Sequence, residues 1–167
     1  MRSPVFLLHG ALAYALDVAG ALPEDALTRA TSCPGWDVAA VARHLAAGIR
    51  VLAGERASAA ADDPVAAVTE AACLLLTRPV LPSAPVDAAA VTGAIEVAVH
   101  TWDLTHACGT TRPVPELIAA DLLALAPRVV PATLRPRLFA PPVSPPAGAA
   151  VGERLVAFLG RRPPASR

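Results

Sequence analysis

The residue types that could do chemistry are concentrated in one segment, residues 91–109, with the sequence VTGAIEVAVHTWDLTHACG. In a helix, at about 100° per residue, Glu96, His100 and Asp103 lie nearly above one another. We call these three residues the polar stripe. Apolar residues flank the stripe on both sides, which indicates that it faces the interior of the protein rather than solvent. Buried ionisable side chains need partners or a metal ion, so the stripe predicts an ionic network or a metal site.

A further candidate ligand, His44, lies on an earlier predicted helix. It shares the apolar face of that helix with Leu45, and Gly48, one turn later, leaves space beside the imidazole. A glutamate and a histidine four residues apart on a helix, such as Glu96 and His100, more often form an ordinary side-chain contact than a metal site. A single histidine on an apolar face, such as His44, is more often a core residue than a ligand. Together, two imidazoles and a carboxylate suit Zn²⁺, Ni²⁺ or Fe²⁺ far better than Ca²⁺. Three ligands from two helices would leave a position open for water or substrate, as in reactive sites.

Other polar and aromatic residues near these positions have simpler interpretations. We expect Asp103 to orient a ligand rather than to be a fourth ligand, and His106 to be a surface histidine. Trp36 and Trp102 are interpreted as core anchors, with Trp36 packing ahead of the helix that carries His44.

The composition favours one globular domain and argues against a nucleic-acid partner. The chain has 167 residues, 54% of them hydrophobic and 17% charged, which is enough for a substantial core and argues against disorder. The net charge is zero, and the basic residues, all arginines, form no cluster. A nucleic-acid-binding surface is therefore not expected.

The cysteines and the N-terminus bear on the cellular compartment. Cys33, Cys73 and Cys108 are an odd number without CxxC spacing, so a disulfide framework is not expected and a reducing cytoplasm fits best. We expect Cys33 in a turn, Cys73 on a core face and Cys108 as a minor candidate for thiol chemistry. The apolar N-terminus faintly resembles a secretory signal, but its leucines recur at helical spacing. No apolar run reaches transmembrane length.

Capping residues, prolines and apolar periodicity predict an all-α protein, a four-helix bundle with a proline-rich C-terminal extension. We expect residues 1–130 to form the helical bundle and residues 131–167 to pack on the same domain. The segment 131–146 is predicted to lack regular structure. The predicted helices are 4–20, 37–54 with Asp37 as its N-cap, 64–78 capped by Asp63, 87–109, 115–130, which Pro127 kinks or ends, and 151–159.

Two motifs carry a family resemblance. SCPGWDVAAVARHL followed by EVAVHTWDL resembles the mycothiol-dependent maleylpyruvate isomerase family and the related DinB-like metal-binding bundle proteins. The resemblance extends over nearly the whole chain, and the ending PPVSPP…LVAFLGRRP is similar to that of an uncharacterised branch. It implies a DinB-like four-helix bundle and a divalent metal, usually zinc, held by His44, Glu96 and His100. The isomerases have an additional C-terminal domain, for which we expect this chain to be too short, so we expect the metal site to transfer more directly than the reaction.

The resemblance also implies a reaction class. In the isomerases, the thiol of a low-molecular-weight cofactor such as mycothiol adds to an electrophilic substrate. We therefore expect a metal- and thiol-dependent isomerase or transferase whose partners are a small-molecule substrate and a low-molecular-weight thiol. The alternative is a metal-binding module without turnover, with a regulatory or stress-related role. Nucleic acid and membrane are not expected as partners, and a homodimer is left open.

Overall fold

The computed structural model describes residues 1–56, 62–78, 84–110, 112–133 and 135–164. Every regular element in these ranges is helical, which confirms the predicted all-α class. The helices are α1 (Pro4–Ala19), α2 (Val38–Leu52), α3 (Pro64–Thr77), α4 (Ala84–Ala107), α5 (Glu116–Val129), α6 (Arg135–Leu138) and α7 (Val151–Phe158), with a 3₁₀ turn at Glu24–Thr28.

Side-chain caps fix where three of the four bundle helices start. The Ser3 hydroxyl accepts a hydrogen bond from the Phe6 amide before α1, and the Asp37 carboxylate accepts one of 2.7 Å from the Ala40 amide before α2. Asp63 accepts from two amides of the first turn of α3. These oxygens satisfy amides that have no partner inside the helix, so the two aspartates predicted as caps are observed as caps.

Helices α1 to α4 form a four-helix bundle of the DinB-like kind. Helix α1 packs against α3 and α4, and α2 packs against the same two helices, so the order around the bundle is α1, α4, α2, α3. The core between them contains fully buried aliphatic side chains from each helix, among them Leu12, Ile49, Val68 and Ile95. This order makes α2 and α4 neighbours, which a site shared by His44 and the polar stripe requires.

Two predictions along the second half of the chain were wrong in detail. Segment 131–146 is not irregular throughout, because α6 forms one helical turn in which the Phe139 amide donates to the Arg135 carbonyl at 2.8 Å. The Phe139 side chain is buried, and this apolar anchor holds the turn in place. Helix α4 also begins about one turn before the expected Asp87. Helix α5, by contrast, ends at Val129, close to the predicted residue 130, with Pro127 in its last turn.

The C-terminal helix is held close to the bundle by a glycine contact. Helix α7 packs on α5, and a Cβ added to Gly152 would lie 2.8 Å from the carbonyl oxygen of Val114, ahead of α5. Only a glycine permits this approach of two backbones. In the part of the chain that the structure describes, no helix is long and apolar enough to cross a membrane.

We expect Gly152→Ala to lower the free energy of unfolding by about 1–3 kcal/mol, because the added methyl meets backbone atoms that cannot move aside. The matched control is Gly48→Ala on α2, where a Cβ meets nothing within 4 Å. Alanine is the better helix former by about 1 kcal/mol, so this variant should be as stable as the parent or more stable. Urea unfolding of both variants measures the difference. A Gly152→Ala protein as stable as the parent would contradict the close approach.

Candidate metal centre

The polar stripe of α4 runs from the protein surface into the interior. The Glu96 side chain is 36% exposed, that of His100 is 10% exposed and that of Asp103 is completely buried. His100 connects the other two: its Nε2 lies 3.4 Å from Glu96 Oε2 and its Nδ1 lies 3.2 Å from Asp103 Oδ2. The stripe therefore forms a continuous chain of polar contacts from the surface to a buried carboxylate.

Helix α2 brings His44 to the outer end of this chain. The imidazoles of His44 and His100 pack edge to face, with ring centroids 4.9 Å apart and planes at 83°. One nitrogen or oxygen atom from each of His44, Glu96 and His100 lies within 4.8 Å of the other two, and these three residues could hold a metal ion. We call them the triad. The structure thus brings together the three residues predicted as ligands, whereas Asp103 lies behind His100.

A tight turn before α2 supports His44 from the other side. Thr31 donates to the Trp36 carbonyl from both its amide and its hydroxyl, and Gly35 adopts a φ of +79°, a conformation that favours glycine. The Trp36 ring then packs against His44 with centroids 5.0 Å apart. Trp36 is 38% exposed, so the expectation that it is a core anchor was wrong.

The inner end of the stripe contains an ion pair that the sequence analysis did not identify. Arg161 donates to both oxygens of Asp103, from Nε at 3.2 Å and from Nη2 at 2.8 Å. Both side chains are buried, and a two-point contact of this kind is strong and directional. Arg161 lies just beyond the last predicted helix, 151–159, in a segment for which no contact was predicted. Gly160, with φ of +85°, directs the chain back towards the bundle immediately before Arg161.

Cys33 completes this inner cluster. Its thiol lies 3.3 Å from Asp103 Oδ2 and 3.9 Å from His100 Nδ1, and it accepts a hydrogen bond of 3.4 Å from Arg161 Nη2. Cys33, His100 and Asp103 are therefore a second group whose atoms lie close enough together to hold a metal. The sequence placed Cys33 in its turn but gave no indication of these contacts.

The other two cysteines, Cys73 and Cys108, differ from Cys33 in their surroundings. Cys73 is exposed, so the expected core position was wrong. Cys108 is partly buried at the end of α4, and burial raises the pKa of its thiol, which disfavours the reactive thiolate.

Burial and hydrogen bonds act in opposite directions on the charges of the stripe. Burial disfavours the charged form of His100, but its contacts with Asp103, Cys33 and Glu96 outweigh burial and raise its pKa well above the usual value. Burial would likewise raise the pKa of Asp103, yet hydrogen bonds from His100 and Arg161 lower it. Partial burial and the neighbouring His100 lower the pKa of His44. The stripe therefore favours a positive charge at His100, which lies between the carboxylates of Glu96 and Asp103.

The triad lies where two cavities meet. One cavity, of about 520 Å³, lies between α2 and α4 and is lined mainly by aliphatic residues; we call it the apolar cavity. The other, of about 760 Å³, extends from the triad towards Cys33, Trp36 and the end of α6; we call it the polar cavity. His44, Glu96 and His100 line both. A group bound at the triad would be accessible from either side.

We expect Arg161→Met to lower the free energy of unfolding by about 3–5 kcal/mol, because it leaves the buried Asp103 carboxylate without its main partner. Arg162→Met is the matched control, since the neighbouring Arg162 is exposed and should change stability by less than about 0.5 kcal/mol. Adding Asp103→Asn to Arg161→Met should restore part of the loss. Equal stabilities of the two single variants in denaturant unfolding would refute the role of the pair.

Comparison with known proteins gives one match. The family model described as mycothiol maleylpyruvate isomerase N-terminal domain matches residues 8–78. No curated protein and no solved structure matches the chain. The matched segment includes the Trp36 turn and the helix with His44, whereas Glu96 and His100 lie beyond it. The resemblance predicted from the sequence is confirmed for residues 8–78, the segment that matches the mycothiol maleylpyruvate isomerase N-terminal domain model.

Proposed function

We propose that the protein is a divalent-metal-dependent enzyme in which His44, Glu96 and His100 bind the metal and a low-molecular-weight thiol attacks an electrophilic substrate. The observation that carries the proposal is the convergence of two imidazoles and a carboxylate within 4.8 Å at the junction of two cavities. The family match over residues 8–78 supports the thiol-dependent chemistry.

The chemistry of the donor atoms fits such a metal. Two imidazole nitrogens and one carboxylate oxygen are typical of Zn²⁺, with Ni²⁺ or Fe²⁺ as alternatives, and the metal would take the place of the proton that His100 holds without it. His100 faces Glu96 with Nε2 and hydrogen-bonds Asp103 with Nδ1. Histidine ligands commonly have this carboxylate contact, which fixes the orientation of the ring and makes the other nitrogen a better donor. Asp103, held in turn by Arg161, is proposed to orient His100 rather than to bind the metal itself.

The triad is a better cation site than the second group, Cys33, His100 and Asp103. Arg161 Nη2 lies within 3.4 Å of both the Cys33 sulfur and Asp103 Oδ2, so a cation bound there would be close to a guanidinium charge. Asp103 is also fully occupied by its existing partners. Glu96 has no arginine partner among the described ion pairs and is partly open to solvent, so it is free to bind a cation.

The residues around the triad suggest how a reaction would be organised. A divalent cation held there would lower the pKa of a coordinated thiol or water and so supply a nucleophile at neutral pH. The polar cavity contains hydroxyl, thiol and guanidinium groups, among them Ser32 and Arg135, which suit a hydrophilic cosubstrate such as mycothiol. Trp36 covers one face of His44 and limits how far that ring can turn.

We expect His100→Ala to lose most of the bound metal, with affinity reduced by more than the roughly 10–100-fold that loss of a ligand's hydrogen-bond partner costs. Added Zn²⁺ should raise the Tm of the parent but not that of the variant. His106→Ala is the matched control, because His106 is an exposed histidine on the same helix. Elemental analysis and thermal unfolding measure both effects. Full metal content in His100→Ala would end the proposal for the triad.

We expect zinc-loaded protein to consume an electrophilic acceptor only when mycothiol is supplied, since the thiol is the nucleophile. Acceptor loss is followed by chromatography over a panel that includes maleylpyruvate and uncharged electrophiles. The metal-free protein and His100→Ala should be inactive. A protein that binds zinc but consumes no acceptor with mycothiol would favour the alternative, a metal-binding module without turnover.

A further inference from the structure

The apolar cavity has aliphatic walls although it includes the ionic side chains of the triad. Its walls are formed by two helices: α2 contributes residues around Gly48, and α4 contributes residues from Ala88 to the triad. Apart from the triad, its lining residues are aliphatic side chains and glycines, with Thr92 as the one polar exception among the described residues. Its volume of about 520 Å³ is within the range typical of small-molecule sites.

No arginine lines this cavity in the described part of the chain. On the nearby α2, Arg43 is exposed outside the cavity, and Arg50 is paired with Glu55 and Glu70. Residues 57–61 and 79–83, which lie outside the described residues, include no basic residue. A carboxylate carried into the cavity beyond the triad would therefore lose water without gaining a cation, which is costly.

We propose that the apolar cavity binds the body of an uncharged, apolar electrophile whose reactive polar group faces the triad. The proposal rests on the proposed function, and it specifies the substrate class. It separates this protein from an enzyme dedicated to maleylpyruvate, because that substrate carries two carboxylates and the cavity offers no cationic side chain for a carboxylate that lies away from the triad. The hydrophilic cosubstrate then approaches from the polar cavity on the opposite side of the triad.

Gly48 is the residue through which this cavity can be altered. A Cβ at Gly48 would meet nothing within 4 Å, so a larger side chain there would extend into open space rather than into packed neighbours. On the opposite helix, Ala89 lies seven residues before Glu96, which places it about 10 Å along the helix axis from the triad. Leucine at position 48 would take up space one turn from His44, and leucine at position 89 would take up space further from the triad.

The test uses zinc-loaded protein and linear alkyl hydroxamates from two to eight carbons, whose head group chelates the metal. We expect affinity, measured by titration calorimetry, to rise roughly two- to four-fold per methylene as the tail enters the cavity. An eight-carbon hydroxamate ending in a second carboxylate should bind about tenfold or more weakly than its uncharged counterpart. Affinity independent of chain length, or equal affinity for both eight-carbon compounds, would overturn the proposal.

Variants of two cavity residues test where the alkyl tail of the hydroxamate binds. Gly48→Leu should remove the dependence on chain length, and Ala89→Leu should weaken only the longest compounds. Ala120→Leu, at an exposed position on α5, is the control and should behave as the parent. Unchanged chain-length dependence in both cavity variants would also overturn the proposal. Ala89→Leu provides the test if Gly48→Leu does not fold.

Zinc content, measured for every protein, separates this proposal from the function on which it rests. If the parent holds no zinc, the proposed function fails, and the cavity is then tested without chelation. In that case Tm is measured with alkanols and alkanoates from six to ten carbons. Stabilisation that rises with length for the alkanols alone supports an uncharged occupant, and equal or no stabilisation by the two series contradicts it.

Discussion

The buried carboxylate of Asp103 is the constraint on which the architecture of the site depends. A completely buried charge is tolerated only with close partners, and Asp103 obtains them from three segments: Arg161 after α7, the Cys33 thiol before α2 and His100 one turn earlier on α4. Each partner is supplied by a segment that must be docked for the contact to exist. The C-terminal helix, the turn that carries Trp36 and the central helix of the bundle are therefore coupled through one side chain.

This coupling explains why the local parts of the site could be predicted from the sequence and the remote parts could not. Glu96, His100 and Asp103 share a helix, so their juxtaposition follows from helical periodicity, and a single apolar face on α2 was enough to add His44. Arg161 is 58 residues from Asp103, and Cys33 is 70 residues from it. No periodicity extends over such separations. The local sequence at Arg161 is a glycine followed by two arginines, which by itself does not indicate a buried ion pair.

The fold was predictable to a similar degree, for the same reason. Caps at Asp37 and Asp63 act within one helical turn, and both fixed the start of a helix correctly. The one-turn helix α6 was missed because its stability comes from burial of Phe139 against the rest of the protein, whereas the local sequence is rich in proline. Trp36 was misjudged in the opposite sense: its size suggested the core, but its place in the structure is against His44 at the mouth of the site.

Gly48 is the position at which stability and the site have opposite requirements. Glycine inside a helix costs about 1 kcal/mol relative to alanine, and this cost is usually offset by a positive φ or by a close neighbour. Gly48 has neither, since its φ is not positive and its Cβ would meet no neighbouring residue outside its own helix backbone within 4 Å. The glycine is exposed and lines the apolar cavity one turn from His44, so its missing side chain leaves space there. Alanine would favour the helix at this position, whereas the occupant proposed for the apolar cavity needs the space that glycine leaves.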